Sequence, residues 1–137
     1  MDMSETEDFQ GLRVIVVEDD SLICLLFEDM LLDLGCKVVG TACDIKRATE
    51  LAQAEQNFDV AILDVNLGGQ QVYPVADILS RRGIPFVFAT GMGAGGLPPS
   101  WQGHSSVSKP MSMASLAEAL GSAIRGAVPK LDRTATN

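Results

Sequence analysis

Four short stretches of the chain carry side chains that could do chemistry together. Glu18-Asp19-Asp20 follows the apolar run 12–17, Asp64 follows 60–63, Thr90 follows 84–89, and Lys109-Pro110 follows a weaker run at 105–107. Three or four acids, a hydroxyl and an ammonium group form a complete set for moving a phosphoryl group. Clustered carboxylates repel one another and need a hard divalent cation, and oxygen ligands with open water positions suit Mg²⁺. Phosphoryl transfer asks a protein for positioning and charge neutralisation more than for covalent chemistry. In that set Asp64 is the candidate nucleophile. Thr90 is a hydroxyl for one phosphoryl oxygen and Lys109 a cation for another, with the metal near Glu18 and Asp19. Singly, each residue has an ordinary use: an acidic run caps a helix, a lone Asp turns the chain, a Lys sits in solvent. Only the conjunction carries the chemistry.

The conjunction requires elements that deliver all four stretches to one edge. Short, nearly continuous apolar runs suit strands buried on both faces, as in a parallel sheet. Between them lie helical stretches. Leu22, Leu26, Met30 and Leu34 recur at helical spacing, with Ile23 and Phe27 beside them, Asp20 or Ser21 as cap and Gly35 as stop. Asp44 caps a second helix through Ala48, Leu51 and Ala52. A third starts at Tyr73-Pro74 and ends at Arg81 or Arg82. A last one begins at Ser112, carries Met113, Leu116, Leu120 and Ile124 on one face, and is predicted to end at Gly126 and Pro129. Alternating strands and helices give an α/β fold with a mostly parallel sheet and helices on both faces. In such sheets ligands bind at the carboxyl ends of the strands, where these residues fall.

Residues 91–103 break the rhythm. Five glycines and two prolines fall in thirteen residues. In a helix interior Gly costs about 1 kcal/mol and Pro about 3 relative to Ala. A loop with at most one short turn around 98–101 is expected in place of a fourth helix. It lacks the G-x-x-x-x-G-K-(S/T) pattern of a phosphate-binding loop, so mobility is its expected property. Trp101 is either a reporter of that mobility or a plug that holds the loop down. His104 is expected at the surface or at a strand edge.

With 137 residues and 47% hydrophobic content, one globular domain is expected. A net charge of −8 and scattered basic residues exclude a nucleic-acid surface. No apolar run reaches membrane-spanning length, and the acidic start does not resemble a signal peptide, so a cytoplasmic protein with no membrane partner is expected. Cys24, Cys36 and Cys43 lack a paired motif and are expected to be free buried thiols. The expected organisation is a flexible segment at 1–10, one domain at 11–127, a polar tail at 128–137, and no output domain.

The residues singled out above are where the sequence resembles the receiver domains of two-component response regulators. The matching segments are VIVVEDD at 14–20, AILDVNLG at 61–68, FATG at 88–91 and SKP at 108–110. The resemblance implies a flavodoxin-like, doubly wound, five-stranded parallel sheet of order 2-1-3-4-5. It implies that Asp64 is the phosphoacceptor, that Glu18 and Asp19 with Asp64 and the main-chain carbonyl of Asn66 hold Mg²⁺ (or Mn²⁺), that Thr90 is the switch hydroxyl, and that Lys109 pairs with the phosphate. The Lys109–Pro110 bond is expected to be cis. The implied donor is a sensor histidine kinase or histidine phosphotransfer protein, the output goes to another protein, and the chain is a signalling phosphoacceptor rather than an enzyme. FATG, with Asn66-Leu67-Gly68-Gly69, is similar to a subgroup of atypical bacterial receivers found in stress and phosphorelay circuits. Three departures stand out: the Gly/Pro segment, Ser106 where the family usually has an aromatic, and Met111 where Phe is common. The readout is therefore assigned to Thr90, Ser106, Met92 and Trp101, with an order–disorder change in the loop as the expected switch.

Rival readings remain. A haloacid-dehalogenase-like phosphatase also uses an Asp after a strand, but needs a second Asp where Asn66 stands. A flavodoxin-like flavin module shares the fold, but Glu18-Asp19-Asp20 would repel a flavin phosphate. A degenerate receiver acting as a binding module would not need the full acid, Thr and Lys set.

Overall fold

The computed structural model describes residues 9–54, 57–91 and 94–136, with side chains of the last helix described as far as residue 126. Strands β1 (Arg13–Val17), β2 (Lys37–Ala42), β3 (Val60–Asp64), β4 (Phe86–Thr90) and β5 (Ser106–Ser108) alternate with helices α1 (Ser21–Asp33), α2 (Ile45–Gln53), α3 (Tyr73–Arg82) and α4 (Met113–Thr136). The strands form one parallel sheet in the order β2-β1-β3-β4-β5, as expected. The chain reverses its winding direction between β1 and β3, which opens a crevice at their carboxyl ends.

Alternation along the central strands feeds two cores. Ile15, Val17, Ala61, Leu63, Phe86 and Phe88 meet Ala48, Leu51 and Ala52 of α2 and Val75, Ala76 and Leu79 of α3. Val14, Val16, Val60, Ile62, Val87 and Ala89 meet Phe27 and Leu31 of α1 and Leu116 and Leu120 of α4. Burial on both faces is why the strands read as unbroken apolar runs. Each fully buried Val, Leu or Ile contributes about 1.5–3 kcal/mol.

Side-chain caps set the helix starts. Asp20 Oδ1 accepts from the backbone N–H of Leu22 at 2.9 Å and of Ile23 at 3.3 Å. Asp44 Oδ1 accepts from the Arg47 N–H at 2.8 Å, and Ser112 Oγ from the Ser115 N–H at 3.1 Å. Gly35 and Gly83 close α1 and α3.

Several expectations are corrected. In α1 the buried side chains are Phe27 and Leu31, while Leu22 is 76% exposed and Leu26 40%. The helix is apolar nearly all round, so its pattern does not fix its rotation, and the large Phe27 ring takes the sheet-facing place. Between β4 and β5 there are two 3₁₀ turns, Ala94–Gly96 and Pro99–Trp101, not one. Such turns need only one or two hydrogen bonds each, so glycine does not exclude them. Helix α4 does not end at Gly126 and Pro129 but runs to Thr136. Helix formers flank Pro129, which removes one backbone bond without ending the helix. The cysteines are free, but only Cys36 is buried, with Cys24 half-buried and Cys43 exposed.

One polar clamp ties β1 to the turn before β3. Asp59 accepts from the Arg13 backbone N–H at 2.8 Å and from its guanidinium at 3.2 and 3.3 Å. Burial pushes the Asp59 carboxyl up, but the Arg13 bonds outweigh it and hold it below its ordinary range. A lowered folded-state pKa adds stability above the unfolded value, lost as pH falls through the folded one. Asp59→Asn is expected to lower stability by under about 1 kcal/mol at neutral pH, because both groups are partly exposed. Urea titrations at two pH values check it, and the difference from wild type should vanish in acid.

Candidate phosphoryl-transfer site

The crevice at the carboxyl ends of β1 and β3 collects the acids. Val17 pairs with Leu63, so Glu18 and Asp64 leave the sheet side by side. The Glu18 N–H donates to the Ala42 carbonyl at 2.9 Å, which extends the β1–β2 ladder past the last strand residue. Asp64 pairs with Ala89, and Thr90 is the next residue on β4. The Lys109 N–H donates to the Thr90 carbonyl at 2.9 Å and carries its side chain to the same edge, followed by a cis bond to Pro110.

Glu18, Asp64 and Thr90 are the buried polar side chains among the described residues. Lys109 Nζ lies 3.0 Å from Glu18 Oε1 and 3.1 Å from Asp64 Oδ1. The contact to Glu18 is a charge pairing without hydrogen-bond alignment, since Oε1 is buried and has no hydrogen-bond partner. Glu18 Oε2 accepts from the Asp20 N–H at 3.1 Å. Burial pushes the Glu18 carboxyl from 4.5 to about 7, although the Lys109 ammonium pulls it down. Burial alone would lower the Lys109 pKa, but the two carboxylates raise it above its ordinary value. One ammonium thus faces two buried carboxylates, with Asp19 beside them.

Glu18, Asp19 and Asp64 offer oxygens that all lie within 4.8 Å of one another. Three carboxylates facing a single ammonium leave an excess of negative charge, which fits a hard divalent cation. These residues would hold Mg²⁺ or Mn²⁺.

A small hairpin fixes Asp19. Asn66 and Leu67 pair antiparallel with Gln71 and Gln70, and Gly68-Gly69 form the turn with φ of +56° and +91°, a region that favours glycine. The Gly68 N–H donates to Asp19 Oδ2 at 2.8 Å, and this bond holds the Asp19 carboxyl below its ordinary range. The Asn66 N–H donates to Asp64 Oδ1 at 3.2 Å, and Asn66 Oδ1 accepts from the Gly69 N–H at 3.1 Å.

The expected site residues Glu18, Asp19, Asp64 and Lys109 therefore meet, with Thr90 next to them on the sheet edge. Asp20 turns away as the cap of α1. Ser106 is half-buried on β5, paired with Phe88 and back from the edge. Trp101 packs against the core on the α3 side. Met92 lies outside the described residues. Sequence reasoning missed Gly68 as a partner of Asp19, although the adjacent glycines marked a turn. His104 is half-buried just before the edge strand β5, in keeping with the expected strand-edge position, and stacks on Phe86 at 5.0 Å.

Comparison with known proteins bears on the fold and the family. Residues 14–121 match the family described as the response regulator receiver domain. The solution structure of SdrG from Sphingomonas melonis Fr1 is 38% identical, with a TM-score of 0.73 over 81% of this chain and 94% of that one. The crystal structure of the response regulator PhyR from Brucella abortus is 25% identical, with a TM-score of 0.72 over 93% of this chain and 52% of that one. The transcriptional regulatory protein PdtaR of Mycobacterium tuberculosis is 34% identical over 79 residues, 57% of this chain and 38% of the relative's length. The matched segment thus spans well under half of that relative. A family match over most of the chain, a sheet in the expected order and an acid crevice completed by a lysine lead to one assignment: the chain belongs to the response regulator receiver domain family.

Proposed function

We propose that the chain is a phosphoacceptor in a two-component phosphorelay, with Asp64 taking a phosphoryl group from a phosphohistidine. The observation that carries this reading is the buried Asp64 carboxylate, held 3.1 Å from the Lys109 ammonium within an acidic cluster. An Asp64 oxygen attacks phosphorus while the bond to the donor imidazole nitrogen breaks, and the imidazole leaves with the electron pair. Lys109 neutralises one phosphoryl oxygen, and the Thr90 hydroxyl donates to another. Glu18, Asp19 and Asp64 would hold Mg²⁺, whose charge would offset repulsion between the carboxylates and the anionic donor. The chain acts as a signalling switch, with only its own phosphotransfer and autodephosphorylation as chemistry.

A haloacid-dehalogenase-like reaction is disfavoured because residue 66 is Asn, whose amide oxygen is engaged by Gly69. The full acid, Thr and Lys set disfavours a degenerate receiver. No helix of the described residues is long and apolar enough to cross a membrane, and we place the chain in the cytoplasm of a bacterium on the strength of its family.

The donor is a sensor kinase or histidine phosphotransfer protein that lays an apolar helical face on α1. Leu22, Leu25 and Leu26 are 76%, 56% and 40% exposed, and the helix starts directly after the acidic crevice. A partner seated there brings its histidine to Asp64. Incubation with phosphorylated histidine kinases of the source cell tests the reading. Transfer of label to this chain in an alkali-labile form is expected, and no transfer from any kinase would overturn the reading. A Leu22→Asp/Leu25→Asp variant is expected to slow transfer from the protein donor about tenfold or more. Its reaction with acetyl phosphate should be unchanged.

A further inference from the structure

Short local hydrogen bonds shape the described part of the loop between β4 and β5. The Trp101 N–H donates to the Pro98 carbonyl at 2.9 Å, the His104 N–H to the Trp101 carbonyl at 3.1 Å, and Gln102 Nε2 to the Leu97 carbonyl at 2.9 Å. A Cβ at Gly95 or Gly103 would meet nothing within 4 Å, and neither glycine has a positive φ. Neither packing nor backbone geometry requires those glycines, which leaves freedom of motion as their physical consequence.

Aromatic rings seat the loop. Trp101 stacks on Tyr73 at 6.0 Å and 17°, meets Phe88 edge-on at 5.8 Å, and contacts His104 at 5.2 Å. Tyr73 also meets Phe88 edge-on at 5.8 Å. Such pairs stabilise a contact beyond the burial of their area alone. Two short routes join this seat to the crevice. Phe88 and Thr90 lie two residues apart on β4 and share one sheet face. Tyr73 follows Val72, whose N–H donates at 2.9 Å to the carbonyl of Val65, the neighbour of Asp64.

We propose that Trp101, seated between Tyr73 and Phe88, is the latch that reports the state of Asp64: phosphorylation draws in Thr90, shifts Phe88 and unseats the indole, which releases the loop. This rests on the reading of Asp64 as phosphoacceptor. The chain has one tryptophan, so its fluorescence reads the latch directly. The full chain is measured with and without Mg²⁺ and beryllofluoride, by acrylamide quenching and by hydrogen exchange of residues 97–104, while acetyl phosphate and intact mass score phosphorylation. In wild type, quenching is expected to increase and exchange to rise at least about fivefold on activation. Tyr73→Ala is expected to show the raised exchange before activation, with no further rise, at an unchanged rate of phosphoryl gain. Tyr73→Phe keeps the stack and should behave as wild type. Full phosphorylation with unchanged or lower exchange in wild type overturns the latch, as does an intact activation-dependent rise in Tyr73→Ala. A chain that gains no phosphoryl group overturns the reading of Asp64, and the latch with it.

Discussion

Replacing Lys109 with alanine is expected to slow phosphoryl gain from acetyl phosphate by about 100- to 1000-fold. That is the usual cost of removing one group that stabilises developing charge in a shielded site. The ammonium contacts Asp64 at 3.1 Å and Glu18 at 3.0 Å, so its loss acts twice. It removes the partner of the incoming phosphoryl oxygen and leaves two buried carboxylates facing each other. Glu18, no longer pulled down by the ammonium, then retains its proton to higher pH, and stability falls more steeply as pH rises. A time course of intact mass measures the first effect and thermal melts from pH 5 to 8 the second. A wild-type rate in Lys109→Ala would remove Lys109 from the chemistry.

Glu18→Gln is expected to do the opposite to stability and still damage the site. The Glu18 carboxyl is pushed from 4.5 to about 7, mainly by burial. A carboxyl raised in the folded state binds more protons folded than unfolded between those values, so stability falls as pH rises from 4.5 to 7. Glutamine keeps the shape without that penalty. The variant should gain on the order of 2 kcal/mol at pH 8 and nothing near pH 4. Its affinity for Mg²⁺ should fall, because one carboxylate of three is gone. Urea unfolding across pH and a Mg²⁺ titration check both. A destabilised variant at pH 8 would mean that the Lys109 pairing outweighs the burial penalty. Sites that hold like charges together commonly carry such a trade of stability for function.

The sheet was legible because its strands are buried on both faces. Runs such as Val60–Asp64 are apolar up to the candidate acceptor, so the strand boundary and the candidate site coincide. Glu18, Asp19, Asp64 and Lys109 could be placed for the same reason, since each stands at or just past a strand end. What was not legible depends on pairings between distant, weakly patterned segments. The Gly68–Asp19 bond spans 49 residues and exists only because the Asn66–Gln71 hairpin forms. The rotation of α1 could not be read because leucines cover nearly its whole surface. The seat of Trp101 rests on rings from α3, β4 and the loop, and no local pattern links Tyr73 to residue 101. The end of α4 was misjudged because Gly126 and Pro129 are strong local stops that the helix passes through.

The central claim is that Asp64 accepts a phosphoryl group. Its most direct measurement is the intact mass of wild type and Asp64→Ala after incubation with acetyl phosphate and Mg²⁺. The expected result is one phosphoryl group on wild type, lost in alkali, and none on Asp64→Ala. No gain on wild type, or a gain that persists in Asp64→Ala, would contradict it.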